Sequence, residues 1–136
     1  MRHVLTTIIV LVFLAVGCSD DVVDVSTATM TGTWDLRSES SSGGIINLLQ
    51  NGTSLQGTYY DIVVRGSCTR EGIVNLGLVI EQPNQQNGGV SHIRKTFDGT
   101  VNYERTLFVG TCRDILLETQ DTLSVGQFTA TKRYNE

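Results

Sequence analysis

Apolar side chains recurring at every second position constrain this chain more than any other feature. Val74, Leu76, Leu78 and Ile80 share one phase. So do Ile93, Lys95, Phe97, Gly99, Val101 and Tyr103, and, near the C-terminus, Phe128, Ala130, Lys132 and Tyr134. Shorter runs, Trp34-x-Leu36-x-Ser38 and Leu55-x-Gly57-x-Tyr59, repeat the pattern. Successive side chains of a strand point to opposite faces, so a period of two marks a half-buried strand and a period near 3.6 marks a helix. After residue 30 the helical period is absent. The best helix candidate, Cys112–Thr119, is short and reads equally well as a strand.

Glycine supplies 14 of the 136 residues and proline one, so turns and bends must come from glycine. About eight strands fit into residues 31–136. The expected fold is all-β: a single up-and-down antiparallel β-barrel, just wide enough for side chains or one small ligand. Asn51-Gly52, between two apolar runs, signals a type I′ hairpin. Asp98-Gly99 reads as a glycine kink inside a long strand, because the alternation runs through it. The polar run Glu81–Gly89 reads as a mobile loop at one barrel mouth, and Ser40-Ser41-Ser42-Gly43-Gly44 as a second flexible loop.

The first twenty residues differ in kind. Met1-Arg2-His3 precedes an uncharged run, Val4–Val16, too short to span about 30 Å of hydrocarbon as a helix. It ends in Leu14-Ala15-Val16-Gly17-Cys18, which resembles the lipobox of bacterial lipoproteins, with Ala15 where leucine is commoner. That resemblance implies a cleaved signal peptide at 1–17, lipid on Cys18 and a lipidated flexible tether over 18–30 that acts as a spacer, leaving 31–136 as the folded domain. An ordinary signal peptide cut nearby is the alternative. Dual or triple acylation would hold the protein at a membrane without a spanning helix. Asp directly after the lipidated cysteine resembles an inner-membrane retention signal; here Ser19 intervenes before Asp20, which points to the outer membrane.

Removing residues 1–17 leaves 119 residues with 9 Lys+Arg against 14 Asp+Glu, a net charge of −5. An acidic domain lacks the basic face that nucleic acid requires. Cys68 and Cys112 remain, and an even count in an oxidising compartment favours a disulfide between them. Closing a loop of about 45 residues would stabilise by roughly 4 kcal/mol in the chain-entropy model. Two separate buried thiols are the alternative.

Gly32-Thr33-Trp34 resembles the Gly-x-Trp that opens the first strand of calycins, the lipocalins and avidin-like proteins, and Gly52–Tyr59 is similar to the second hairpin of avidin-like barrels. The resemblance implies a ligand-holding barrel whose tryptophan packs across one end against a basic residue, here Lys132 or Arg133. After Trp34 the sequence runs Asp35-Leu36-Arg37 rather than the residues that hold biotin, so biotin is not implied. Trp34, Tyr59, Phe97, Tyr103, Phe108 and Phe128 are the candidate ligand-binding residues for a small apolar ligand. An envelope protein is the alternative partner, in the manner of an assembly factor or of barrels that inhibit proteases.

Catalytic chemistry is not expected. His92 is the only histidine of the mature chain, reads as an exposed loop-edge residue, and no Gly-x-Ser-x-Gly elbow accompanies it. Too few nitrogen and sulfur ligands are present for a zinc site, and no cofactor is implied.

Overall fold

The computed structural model describes residues 28–40 and 43–134. Cys18 and the expected signal peptide lie outside the described residues. Eight strands follow one another: β1 (Gly32–Ser38), β2 (Gly44–Asn51), β3 (Ser54–Tyr59), β4 (Ile62–Cys68), β5 (Ile73–Pro83), β6 (Val90–Val101), β7 (Leu107–Leu116) and β8 (Asp121–Lys132). Each pairs antiparallel with the next, and β8 pairs with β1, which closes an up-and-down barrel. The Cys112–Thr119 region is not a helix: Cys112–Leu116 belongs to β7.

The alternating residues line the interior. Trp34, Leu36, Leu55, Tyr59, Val74, Leu76, Leu78, Phe97, Val101, Phe128 and Ala130 are buried in one apolar core. Strand β6 runs unbroken through Asp98-Gly99, with Gly99 directly opposite Gly110 of β7. A Cβ on Gly99 would overlap the Val109 carbonyl oxygen, and one on Gly110 would overlap that of Asp98. Only glycine lets the two backbones approach closely enough for the sheet to coil there.

The β2–β3 hairpin is shifted by one residue from the expected turn. Asn51 pairs with Ser54, so Gly52 and Thr53 form the loop. Only Gly52 has positive φ, at 61°, the pattern of a type II′ turn, which requires glycine at its first central position. The expected loop at Glu81–Gly89 is also shorter. Glu81, Gln82 and Pro83 continue β5, Pro83 pairs with Val90, and the connection is a compact turn closed by Asn84 N–H donating to Gly89 O at 2.7 Å. Strands β5–β8 have 10 to 12 residues against 6 to 8 in β1–β4, so β5 and β6 project past the rim. Solvent wets both faces of that projection, which is why its sequence is mostly polar, with Val90 as an exposed exception.

The expected disulfide is not formed: Cys68 and Cys112 are separate, buried thiols. Cys68 ends β4 and Cys112 lies in β7, with β5 and β6 between them. Three ladder steps of roughly 4.8 Å each carry the two Cα atoms well beyond the span of about 4.4–6.8 Å that a bridge tolerates.

Candidate functional site

The up-and-down order gives the barrel two unlike ends. One carries the tight β2–β3, β4–β5 and β6–β7 connections and is closed by the segment that precedes β1. Met30 is fully buried there, its N–H donating to Gln50 Oε1 at 2.7 Å and its carbonyl accepting from Trp34 Nε1 at 2.9 Å. Lys132 Nζ lies 5.7 Å from the centre of the Trp34 ring and donates to Thr29 O at 2.6 Å. Of the two basic residues expected beside the tryptophan, Lys132 is therefore the one that packs on it, a cation–π contact worth roughly 0.5–2 kcal/mol. Burial pushes the Lys132 pKa down. Arg133 instead grips Asp35 with two bonds, at 2.7 and 2.6 Å, and these hold the Asp35 carboxyl below its usual range.

Five of the six candidate ligand-binding aromatics meet in the interior. Phe128 stacks edge-on against Phe97 at 5.3 Å and Phe108 at 4.7 Å, and Tyr59 lies 6.5 Å from Phe97. Trp34 caps the same core from the closed end. Their rings pack on one another in the core. Tyr103 does not join them: it sits in the β6–β7 connection and is 67% exposed.

Towards the open end the interior turns polar. Lys95, 6% exposed, places Nζ 2.7 Å from Asp114 Oδ1 and 4.0 Å from Cys112 Sγ. The contact is ionic rather than a well-directed hydrogen bond, since Oδ1 accepts none in a favourable direction. Ser124 Oγ donates to Asp114 Oδ2 at 3.2 Å. Burial raises the pKa of Cys112, of Cys68 and of the Tyr59 hydroxyl, so neither thiol is poised as a thiolate nucleophile. His92 lies on the outer face of the projecting strands, its Nδ1 2.8 Å from Glu118 Oε1 and its Nε2 3.6 Å from Glu81 Oε1. The His92 hydrogen bond holds the Glu118 carboxyl below its usual range. All three side chains are substantially exposed. Among the described residues, no group of three or more His, Cys, Asp and Glu is arranged to hold a metal ion.

Among the described residues the β4–β5 ladder, a seam in the wall, is the shortest, one pair shorter than the two ladders of β1. Strands β3 and β4 pair over six positions and β5 and β6 over eleven, but β4 and β5 over only four, ending at Arg65–Gly77. Beside the end of that ladder lies a solvent-open hollow of about 440 Å³. Ile62, Val63, Leu78 and Val79 make it apolar, and Arg65 and Arg94 flank it. Gly77 supplies the space: a Cβ there would meet nothing closer than 4.0 Å. Two other hollows, of about 300 and 620 Å³, lie beside Arg37 and are more polar.

The seam was not among the sequence expectations, because it depends on where a ladder stops. Lys95 did carry a signal, as a cation in the apolar phase of its strand. Comparison of the chain with protein-family models, with curated proteins and with solved structures gives no match.

Proposed function

We propose that this chain is a lipid-anchored barrel of the bacterial envelope that acts without catalysis, as a protein-interaction module working through its outer wall. The observation that carries the reading is the β4–β5 seam, where a solvent-open apolar hollow flanked by two arginines lies on a barrel whose interior aromatics pack on one another. The envelope placement rests on Leu14–Cys18, and the calycin-like reading on Gly32-x-Trp34 with Lys132 on the tryptophan.

Two measurements test it. Metabolic labelling with palmitate is expected to mark the wild type and not Cys18→Ser; label retained by Cys18→Ser overturns the anchor. Co-purification from detergent-solubilised envelopes is expected to return one protein repeatedly with the wild type and to lose it with Val63→Asp/Val79→Asp. A small apolar ligand is the second reading, favoured by the volume of the seam hollow, which exceeds the roughly 300 Å³ of the smallest common ligand sites. Native mass spectrometry of the domain from residue 19 would then show a retained mass that Gly77→Val removes.

A further inference from the structure

We infer that the outer wall of β4–β8 docks the acidic surface of a partner protein, with an apolar side chain of that partner seated in the seam hollow. The inference rests on the protein-interaction reading and gives it a face and a chemistry.

Strand register gathers three arginines on this face. Arg65 stands opposite Gly77, Gly77 opposite Thr96, Thr96 opposite Arg113 and Arg113 opposite Val125. These positions form one outward row across five strands, about 19 Å long at roughly 4.8 Å per ladder step. Arg94 stands in the neighbouring row between Val79 and Ile115. It is therefore diagonal to Arg113, at about 7–8 Å between backbones. All three arginines are exposed, and none has an ion-pair partner among the described residues. Glu81 and Asp98 are the outward carboxylates one diagonal away from Arg94 and Arg113. Neither pairs with them, and Glu81 turns instead to His92 at 3.6 Å. On a chain of net charge −4, three guanidinium groups are left to repel one another. Carboxylates from outside relieve that repulsion and can be held in bidentate pairs. Spread from β4 to β7, the three are too far apart for one anionic headgroup and suit a surface that carries several.

The hollow supplies the apolar part. Val63 and Val79, 57% and 43% exposed, line it with Ile62 and Leu78, and Arg65 and Arg94 stand at its edge. Because it is open to solvent, a free small molecule there would keep much of its surface wet, whereas small-molecule sites bury roughly 70–90% of their ligand. A protein covers the hollow with the surface around its inserted side chain. An apolar centre beside arginines is also the composition of protein–protein hot spots. A polyanion lacking apolar groups would engage the arginines and leave the hollow wet.

The first probe is an N-acetylated, amidated peptide with one leucine between two pairs of glutamates. It is titrated into the folded domain at low salt and followed by amide chemical shifts. Shifts are expected at Gly77, Val79, Thr96 and Arg113. Glutamine in place of the glutamates, or Arg65→Gln/Arg94→Gln/Arg113→Gln in the domain, is expected to weaken binding about tenfold or more. Glycine in place of the leucine is expected to weaken it about fivefold or more. The triple variant is expected to keep the melting temperature of the wild type, since its arginines are exposed and unpaired. Equal binding by the glutamine peptide, equal binding by the peptide without leucine (the polyanion outcome), or no shift at millimolar peptide would each overturn the inference. Photocrosslinking of the full chain in cells separates this from failure of the broader reading. A benzoylphenylalanine at Val125, in the arginine row but outside the hollow, is expected to trap a protein, and the triple variant is expected to lose that adduct. Adducts at Leu49 on β2 and none at Val125 would leave an interaction role standing and overturn this face; adducts at neither would overturn both.

Discussion

The ion pair inside the barrel mouth allows the packing energetics to be tested. Lys95 and Asp114 stand directly opposite one another in the β6–β7 ladder, and Asp114 faces Ser124 in the next. The Lys95 side chain is 7% exposed and that of Asp114 22%. At 2.7 Å and an effective dielectric of about 20, the attraction is roughly 6 kcal/mol before desolvation. Taking both charges from water costs several kcal/mol each, so the net worth of the pair is near zero while the cost of breaking it is large. Asp114→Leu leaves a buried ammonium with no counter-charge and is expected to cost about 3–4 kcal/mol. Lys95→Met leaves a carboxylate that still reaches water and Ser124, and is expected to cost about 1–2 kcal/mol. The double variant is expected to fall within about 1 kcal/mol of the wild type, since hydrophobic replacement of a buried pair is often neutral. The coupling energy is then roughly −4 to −6 kcal/mol. Urea unfolding followed by the emission of Trp34, the only tryptophan of the chain, reads all four proteins. In thermal unfolding, a few kcal/mol corresponds to roughly 4 °C each for a domain of this size. Additive single-variant costs, with no coupling, would refute the view that the two side chains stabilise only as a pair.

Other consequences follow from the same packing. Cys68 and Cys112 are expected to react with a thiol reagent only after unfolding, and reductant is expected to leave the melting temperature unchanged; loss of one thiol pair from native protein would contradict their separation. Gly110→Ala is expected to destabilise the barrel by about 2 kcal/mol or more, as overlap with the Asp98 carbonyl must be relieved, whereas Gly77→Ala is expected to be tolerated in the same unfolding assay. The Asp35–Arg133 pair is expected to make acid stability depend on Arg133. The folded pKa of Asp35 is depressed, so its contribution is present above the unfolded value of about 3.9 and is lost as pH falls through the folded one. Arg133→Gln is expected to flatten the unfolding curve in that acid window, and an unchanged pH profile would deny the coupling.

The strands were legible where one face is dry and the other wet. The phase of Val74–Ile80 and of Ile93–Val101 matches the buried face residue for residue, because burial on one side of a pleated strand imposes a period of two. The signal disappears at Glu81–Pro83, where the projecting strand has water on both sides and the polar composition reads as loop. Lys95 was visible in the apolar phase, but its partner was not. Asp114 is brought opposite only by the register of a hairpin closed through Asn102, whose Oδ1 accepts from the Thr106 and Leu107 N–H groups at 2.8 and 3.0 Å. The parity of the cysteines was misleading for a related reason. Their number is a property of the chain, but the wall each occupies is a property of strand order. Arg65 and Arg94 carried no signal, since outward arginines on strands are ordinary and only the short β4–β5 ladder groups them.

The closed end also sets how the barrel would stand on a membrane. Residues 29–31 are strapped across that end by Lys132, Gln50 and the Trp34 indole, so the chain enters the barrel there and not at the mouth. With Cys18 lipidated, the ten residue steps from Cys18 to Ala28 reach at most about 35 Å. A docked entry point makes the closed end the near end on average, and the projecting β5–β6 turn at Asn84–Gly89 the far one. The seam hollow lies on the mouth side of Arg65–Gly77, so on an anchored barrel it would point away from the lipid headgroups. Nitroxide labels on Thr53 and Asn87, in protein anchored to vesicles, read this arrangement through their accessibility to a lipid-soluble relaxant. Greater exposure to the relaxant at Thr53 is expected. Equal values at both ends would mean that the strap does not orient the barrel, and that the seam gains no preferred direction from its anchor.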